Sequence, residues 1–359
     1  MYDAENWPDL SGSARSAAFQ APFAPFALDA FAYPPPFLLL PRALLPLGDF
    51  RSQRAAWFGL NGLLLAVGLW TVAAFVGGRG QVRALLLAPV LWCSLPALVT
   101  LQIGNAHAAV LVLAMLGMVA FESERPALGG ALLAFSILAK ISPGLLVVML
   151  LVRRRFREVL WTAAFGLGFA LLALAVFGSE PFEAFIRYQM PRLSSGEALS
   201  FLAREDSVSI NLAPFGIPFK LAALGAHVAD VWKTAKVVNL AFTAAVVVVT
   251  VVAARRDTEP GERAMLWLAV LTFGTLRSPF APPYVVVPAL WLISLWAAEI
   301  RGRVGAIGLM ALWIATSVTP PLPLRPLAAL TIVQQMVLIG MVGYLALRAG
   351  SARPRRPGV

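Results

Sequence analysis

Polar side chains set into long apolar runs are the residues of this chain whose chemistry needs a reason, because a charge or an unmet donor is costly to hold away from water. Four places carry them. Gln102-Ile103-Gly104-Asn105-Ala106-His107 interrupts an uncharged window from residue 84 to 121. Its amide and imidazole groups can hydrogen-bond sugar hydroxyls or a phosphate, and Gly104 lets a ligand approach the backbone. The bland role is a turn capped by its own Asn105. Lys140, followed by Ile141-Ser142-Pro143-Gly144, is the sole charge between Arg125 and Arg153. A cation there suits the phosphate of a lipid, against the alternative of snorkelling to headgroups. Arg277-Ser278-Pro279 with Pro282-Pro283-Tyr284 marks a second break, where Arg277 is a phosphate candidate or an interfacial anchor and Tyr284 a substrate contact. Tyr33-Pro34-Pro35-Pro36-Phe37 is a rigid extended entry, with Tyr33 as a further contact.

Carboxylates for general-base work lie in loops and tails rather than in apolar runs. Glu180, Glu183, Glu197, Glu205, Asp206 and Asp230 fall in one long segment, and Asp3, Glu5, Asp9, Asp29 and Asp49 in the N-terminal piece. Glu205 and Asp206 are the first candidates for a base. One cysteine excludes an intrachain disulfide and a cysteine metal cluster, and two histidines with neither an HExxH nor a CxxC spacing leave little to hold a transition metal. No cofactor is expected, and a hard divalent cation held by carboxylates is the one metal the residue set suits.

The elements that must position these groups follow from composition. Of 359 residues, 59% are apolar and 13% charged, with a mean hydropathy of +0.79. A soluble domain carries about 25% charge. The composition therefore excludes a soluble globular, a disordered or a fibrous chain and indicates an all-α polytopic membrane protein. A net charge of +11 suits nucleic acid in a soluble protein, but here the arginines punctuate apolar runs, so no nucleic-acid partner is expected.

A helix needs about 20 apolar residues to cross the hydrocarbon core. Windows at 55–78, 159–179, 237–254, 278–298, 304–324 and 326–347 each supply one, and 84–121 supplies two with a turn near Leu101 to Asn105. A shorter run, 264–276, ends at Arg277. Short loops at 77–83, 122–126, 153–157, 255–263 and 301–303, with the tail from Arg348, hold 16 of the 29 Lys and Arg residues, which assigns them to the cytoplasm. Residues 127–152 then begin and end on one side, so they must turn within the membrane at Lys140 to Gly144. About eleven transmembrane or half-membrane segments result. The expected division is an extracytoplasmic segment 1–52, helices over 53–177 with a re-entrant hairpin near 140, an extracytoplasmic loop 178–236 with an interfacial helix from Asn211 to Trp232, helices over 237–348, and a basic tail 349–359. Residues 1–30 do not read as a signal peptide, and the count places the N-terminus outside, which leads to the expectation of an upstream helix absent from this chain.

The opening MYDAENW, then YPPPFLLL, QIGNAHAAVLVLAML, ILAKISPGLLVVMLLVRRRFREV and SPFAPPYVVVPAL, in this order, resemble the membrane glycosyltransferases of family 87, of the GT-C fold. AKxxP followed by an Arg-rich loop, downstream of YPPPF, is the most distinctive part. The resemblance implies transfer of a hexose, with mannose the expected sugar, from a polyprenyl-phosphate donor to a glycan or glycolipid acceptor outside the cytoplasm, in the cell inner or plasma membrane. It also implies an acidic general base in a first outer loop that precedes the segment matching MYDAENW, and a His or Asp ahead of Tyr284, where this chain has Pro282 and Pro283. A lipid transporter or flippase, or a truncated inactive transferase, are the alternative readings.

Overall fold

The computed structural model describes residues 33–195, 204–256, 258–300 and 302–348. The expectations placed on residues 1–32, on Glu197 and on the tail beyond Arg348 lie outside them. Among the described residues all regular structure is helical. The main helices are α1 (Phe50–Val76), α2 (Gly78–Trp92), α3 (Leu95–Gln102), α4 (His107–Glu122), α5 (Pro126–Ala139), α6 (Gly144–Val152), α7 (Phe156–Phe177), α8 (Glu205–Ile210), α9 (Ile217–Ala223), α10 (Val231–Ala254), α11 (Pro260–Leu276), α12 (Val287–Glu299), α13 (Arg303–Ser317) and α14 (Leu324–Arg348). Shorter turns fill 35–47 and 180–195.

Four of these, α1, α7, α10 and α14, are long and apolar enough to cross a membrane alone, and α2 with α3 makes a fifth as a pair bent by 58°. The expected count of about eleven needs the shorter apolar helices to enter the membrane as well. Capping explains where two long helices start earlier than the apolar windows. Asp49 accepts from the Ser52 backbone N–H at 3.0 Å and its hydroxyl at 2.9 Å, which draws the polar residues 50–54 into α1 and holds the Asp49 carboxyl below its usual pKa. Asp230 likewise accepts from the Lys233 N–H at 2.9 Å and starts α10 at Val231. The break between α2 and α3 was not expected. Pro89 lies inside α2, Pro96 opens α3, and the Ser94 hydroxyl accepts from the Ala97 N–H at 3.3 Å, so three local signals end one helix and begin another. The stretch expected to form one interfacial helix is split as well. Residues 211–216 are buried extended chain and a 3-10 turn, and before α10 begins at Val231 only the seven residues of α9 are α-helical, because Pro214 and Pro218 each restart the backbone.

Helices α4, α11 and α12 form the centre and are buried on nearly every side, with Trp267 and Trp291 almost fully enclosed. Phe75 of α1 stacks on Trp267 with ring centroids 5.3 Å apart. Around this centre the described residues in and beside the basic segments gather at one end. Arg83 donates to Ala298 O at 3.0 Å, Arg153 to Ala254 O at 3.0 Å and Arg256 O at 3.2 Å, and Arg256 to Leu347 O. The Glu122 carboxylate pairs with both Arg155 and Arg263.

Two matching caps aim this clamp. α4 ends with Arg125 N–H on Ala120 O (2.9 Å) and Glu124 N–H on Phe121 O (3.3 Å), and α6 with Arg155 N–H on Leu150 O (2.9 Å) and Arg154 N–H on Leu151 O (3.0 Å). This 6→1 and 5→2 pairing closes the last carbonyls of each helix and needs a left-handed residue, here Glu124 and Arg154, both at φ 57°. Glu122 and Arg155 in contact mean that the chain leaves this end through α5 and returns to it through α6, turning at 140–143. Replacing Glu122 by Gln leaves the largely buried Arg263 guanidinium without a counter-charge among the described residues and leaves Arg155 with Glu158 alone. The expected result is a loss of about 1 to 3 kcal/mol, read as a lower thermal midpoint in detergent. An unchanged midpoint would show that the clamp does not hold the two loops together.

Candidate functional site

The end opposite the basic loops is reached by α4, whose 16 residues span about 24 Å from Glu122 back to His107. The turn before His107 is held from several directions. Trp57 Nε1–H donates to Gly104 O at 2.8 Å, the Arg54 guanidinium donates to Gln102 O, and Asn105 Oδ1 accepts from the His107 N–H at 2.9 Å. Gly104 sits at φ 69°, a left-handed conformation that suits glycine, and a Cβ there would lie 3.4 Å from the Trp57 ring. Asn105 therefore caps its own turn, and Gln102 keeps an exposed side chain beside it.

Lys140 lies directly across from this turn because α5 runs antiparallel beside α4. A small cluster of Phe37, Ala106, Val110 and Ala139, with Tyr33, Leu40, Trp57 and Phe135 packed on it, joins the proline-rich entry, the turn and the end of α5. Tyr33 packs on Phe37 with ring centroids 4.5 Å apart. At Lys140 the backbone turns extended, with φ −150° and ψ 126°. Its Nζ lies 3.5 Å from His107 Nδ1, and the other ring nitrogen, Nε2, lies 2.9 Å from Val285 O. A carbonyl can only accept, so Nε2 carries the proton and the Nδ1 lone pair faces the ammonium. His107 is 3% exposed with both nitrogens engaged, which makes it a support for Lys140 rather than a group turned toward open space. Among the described residues no carboxylate pairs with Lys140.

The late motif is stitched to the same place. The Thr100 hydroxyl lies 2.7 Å from Tyr284 O, and the next carbonyl, Val285 O, is the acceptor for His107. The Tyr284 ring is half-buried against the main core. α11 meets the break at 140–143 through Gly274, where a Cβ would come within 2.8 Å of Ser142 O, and one turn later it ends at Arg277. The Arg277 side chain is half-exposed, and its guanidinium makes no ion pair among the described residues. Tyr33, Gln102, Asn105, His107, Lys140, Arg277 and Tyr284 thus come to one end of the bundle. Glu205 and Asp206 open α8, whose Ser209 carbonyl accepts from Thr331 of α14 at 2.7 Å, and their side chains lie outside the described residues. No group of three His, Cys, Asp or Glu able to hold a metal occurs among the described residues.

One residue essential to this arrangement escaped the sequence reading. Asn211, 1% exposed, donates to Pro279 O and accepts from the Ala213 and Ala281 N–H groups, each at 2.9 Å, while Leu212 N–H reaches Ala281 O at 2.8 Å. It clips the start of the long segment's apolar half to the late motif. A polar amide opening the run Asn-Leu-Ala-Pro-Phe-Gly was the available signal.

A helical bundle that brings a cation without a carboxylate, a helix break and a proline-rich strip to one end is matched by a family model, glycosyltransferase family 87, over residues 31–279. The chain belongs to glycosyltransferase family 87. The match takes in Tyr33, the turn at 102–107, Lys140 and Arg277, and stops short of Tyr284. Family membership and the apolar helices make this a multi-pass membrane glycosyltransferase, which works with a sugar donor and an acceptor. No curated protein and no solved structure matches the chain. Because Gly274 is the contact between α11 and the break, Gly274→Val should overpack it at a cost of about 1 to 3 kcal/mol. Faster thiol labelling at Ser142→Cys in a Cys93→Ala background is the expected reading; unchanged labelling and midpoint would mean that α11 does not support the break.

Proposed function

We propose that the protein transfers a hexose, mannose in the first instance, from a polyprenyl-phosphate sugar to a glycan or glycolipid acceptor on the extracytoplasmic side of the cell inner membrane. One observation carries the reading. Lys140 is an ammonium whose single polar partner among the described residues is an imidazole lone pair, on a break between helical arms of 14 and 9 residues. Those arms are about 21 and 13 Å long, less than the ~30 Å hydrocarbon core, so the apex belongs within membrane depth, in a GT-C-like bundle of about eleven transmembrane and half-membrane segments. A charge there is favourable when it meets an anion. The gathering of the described basic residues at the far end supports a cytoplasmic orientation for that end and an external one for Lys140.

In the proposed reaction an acceptor hydroxyl attacks the anomeric carbon, the glycosidic bond to the phosphate oxygen breaks, and the lipid phosphate leaves with the electron pair. Lys140, with Arg277 at the end of α11, neutralises the charge that develops on the leaving oxygen. His107 holds Lys140 in place, while Tyr33, Gln102, Asn105 and Tyr284 line the approach for the sugar. The acceptor proton goes to a carboxylate, with Glu205 and Asp206 the residues on which this role is placed. Attack opposite the leaving group inverts the anomeric centre. The broken helices also favour a second reading, a lipid flippase, which would move the lipid without transferring sugar.

Lys140→Met keeps an apolar stem and removes the charge, so the protein should fold while its affinity for polyprenyl phosphate falls about 10- to 150-fold, the equivalent of about 1.5 to 3 kcal/mol. His107→Gln, whose amide can both accept and donate, should keep most of the affinity, and His107→Phe should lose several-fold. Unchanged binding by Lys140→Met would refute the assignment. Sugar transfer in reconstituted vesicles separates a transferase from a flippase.

A further inference from the structure

A second buried ammonium lies apart from the Lys140 end's stitched contacts. Lys220 on α9 is 0% exposed, and its one acceptor among the described residues is Gln335 Oε1 of α14, at the long distance of 3.4 Å. An ammonium carries three donor hydrogens, so most of its capacity is unmet among the described residues. Gln335 is itself 0% exposed, and its Nε2 has no acceptor among the described residues. Two donor groups, one of them charged, therefore converge between α9 and α14 with a single amide oxygen to serve them. No Asp or Glu among the described residues pairs with Lys220. The complement of such a surplus is an anion with several acceptor oxygens, because a buried charge is stable only when it is paired.

The surroundings suit a lipid-borne anion. The rings of Phe215 and Phe219, from the same stretch as Lys220, pack with Trp232, with Phe219 and Trp232 ring centroids 5.0 Å apart. The outer face of α9 is apolar and open, with Leu221 at 39% and Leu224 at 38% exposure. A single helix of seven residues is therefore the cover over Lys220 on that side. The chain running from this site reaches Asn211, which is bonded to the strip at Pro279 and Ala281, and that strip continues to Val285 and His107.

We propose that Lys220 and Gln335 form a second anion subsite, which takes the phosphate of a lipid between α9 and α14. Naming its ligand as the phosphate of a lipid-linked acceptor rests on the transferase reading above, in which the donor's phosphate occupies Lys140. An ordinary phospholipid headgroup offers the same chemistry.

The test is lipid binding to the full chain in detergent, counted by native mass spectrometry, with polyprenyl phosphate as the probe and phosphatidylglycerol as competitor. The wild type should bind two polyprenyl phosphates, Lys220→Met and Lys140→Met one each, and the double variant none. Lys220→Gln, which keeps a hydrogen bond to Gln335 without the charge, should behave like Lys220→Met. Two lipids on Lys220→Met, or only one on the wild type, overturns the subsite. Two lipids on Lys140→Met with one on Lys220→Met overturns the Lys140 reading and leaves this subsite standing. Displacement of the Lys220-dependent lipid by equal phosphatidylglycerol supports a phospholipid occupant, and resistance to it a lipid-linked acceptor. In the lipid-free protein, Lys220→Met should raise the thermal midpoint because an unpaired buried charge is gone; a lower midpoint would mark Lys220 as structural and overturn the proposal.

Discussion

The Glu122 carboxylate, shared by the guanidinium groups of Arg155 and Arg263, is the contact from which the rest of the structure follows. It joins the end of α4 to the start of α7 and to the first turn of α11. With those ends tied, the chain between them has no course open except out through α5 and back through α6. The turn must then fall at the far end, and Ser142-Pro143-Gly144 is the part of that stretch least suited to helix. One ion-paired carboxylate at the basic end thereby fixes which residue stands at the opposite one.

That residue is Lys140, and its surroundings are acceptor-poor by construction. α4 offers the His107 ring, but the Val285 carbonyl takes the Nε2 proton and leaves only a lone pair for the ammonium. The turn at 102–105 spends the Gln102 and Gly104 carbonyls on Arg54 and Trp57 and the Asn105 side-chain oxygen on the His107 N–H. The strip at 279–285 spends its carbonyls on Asn211, Thr100 and His107. These acceptors near Lys140 are thus taken up by other neighbours, and the ammonium keeps donor capacity for a ligand. The same asymmetry, donors in excess of acceptors, recurs at Lys220.

Much of this was legible in the sequence. Loop arginines mark one end, because charge clusters between apolar runs survive any detail of packing, and the break at Lys140 to Gly144 is local chemistry of Ser, Pro and Gly. The gathering of Tyr33, Gln102, Asn105, His107 and Lys140 could be suspected from their shared side but not demonstrated, since it depends on α5 lying antiparallel to α4. What escaped had tertiary causes. The α2–α3 bend is hidden inside an apolar window in which Pro89, Ser94 and Pro96 are minor interruptions. The stretch from Asn211 to Lys220 looks interfacial by its mixed polarity, yet it is buried, because Asn211 finds three backbone partners 68 to 70 residues away, or two positions along in the case of Ala213. His107 was taken as a ligand contact because nothing in a sequence reveals that both ring nitrogens are already used.

The central claim is that the helix break at Lys140 receives the phosphate of a polyprenyl-linked sugar. Photocrosslinking tests it most directly. The chain, reconstituted in nanodiscs, would be exposed to a polyprenyl-phosphate hexose carrying a diazirine on the isoprene unit next to the phosphate, and the labelled peptides mapped by mass spectrometry. The account predicts labels concentrated in residues 139–145 and 276–287, lost when unlabelled polyprenyl phosphate is added in excess. Labels spread over the lipid-facing helices α7, α10 and α13, with none in those two stretches, would contradict it.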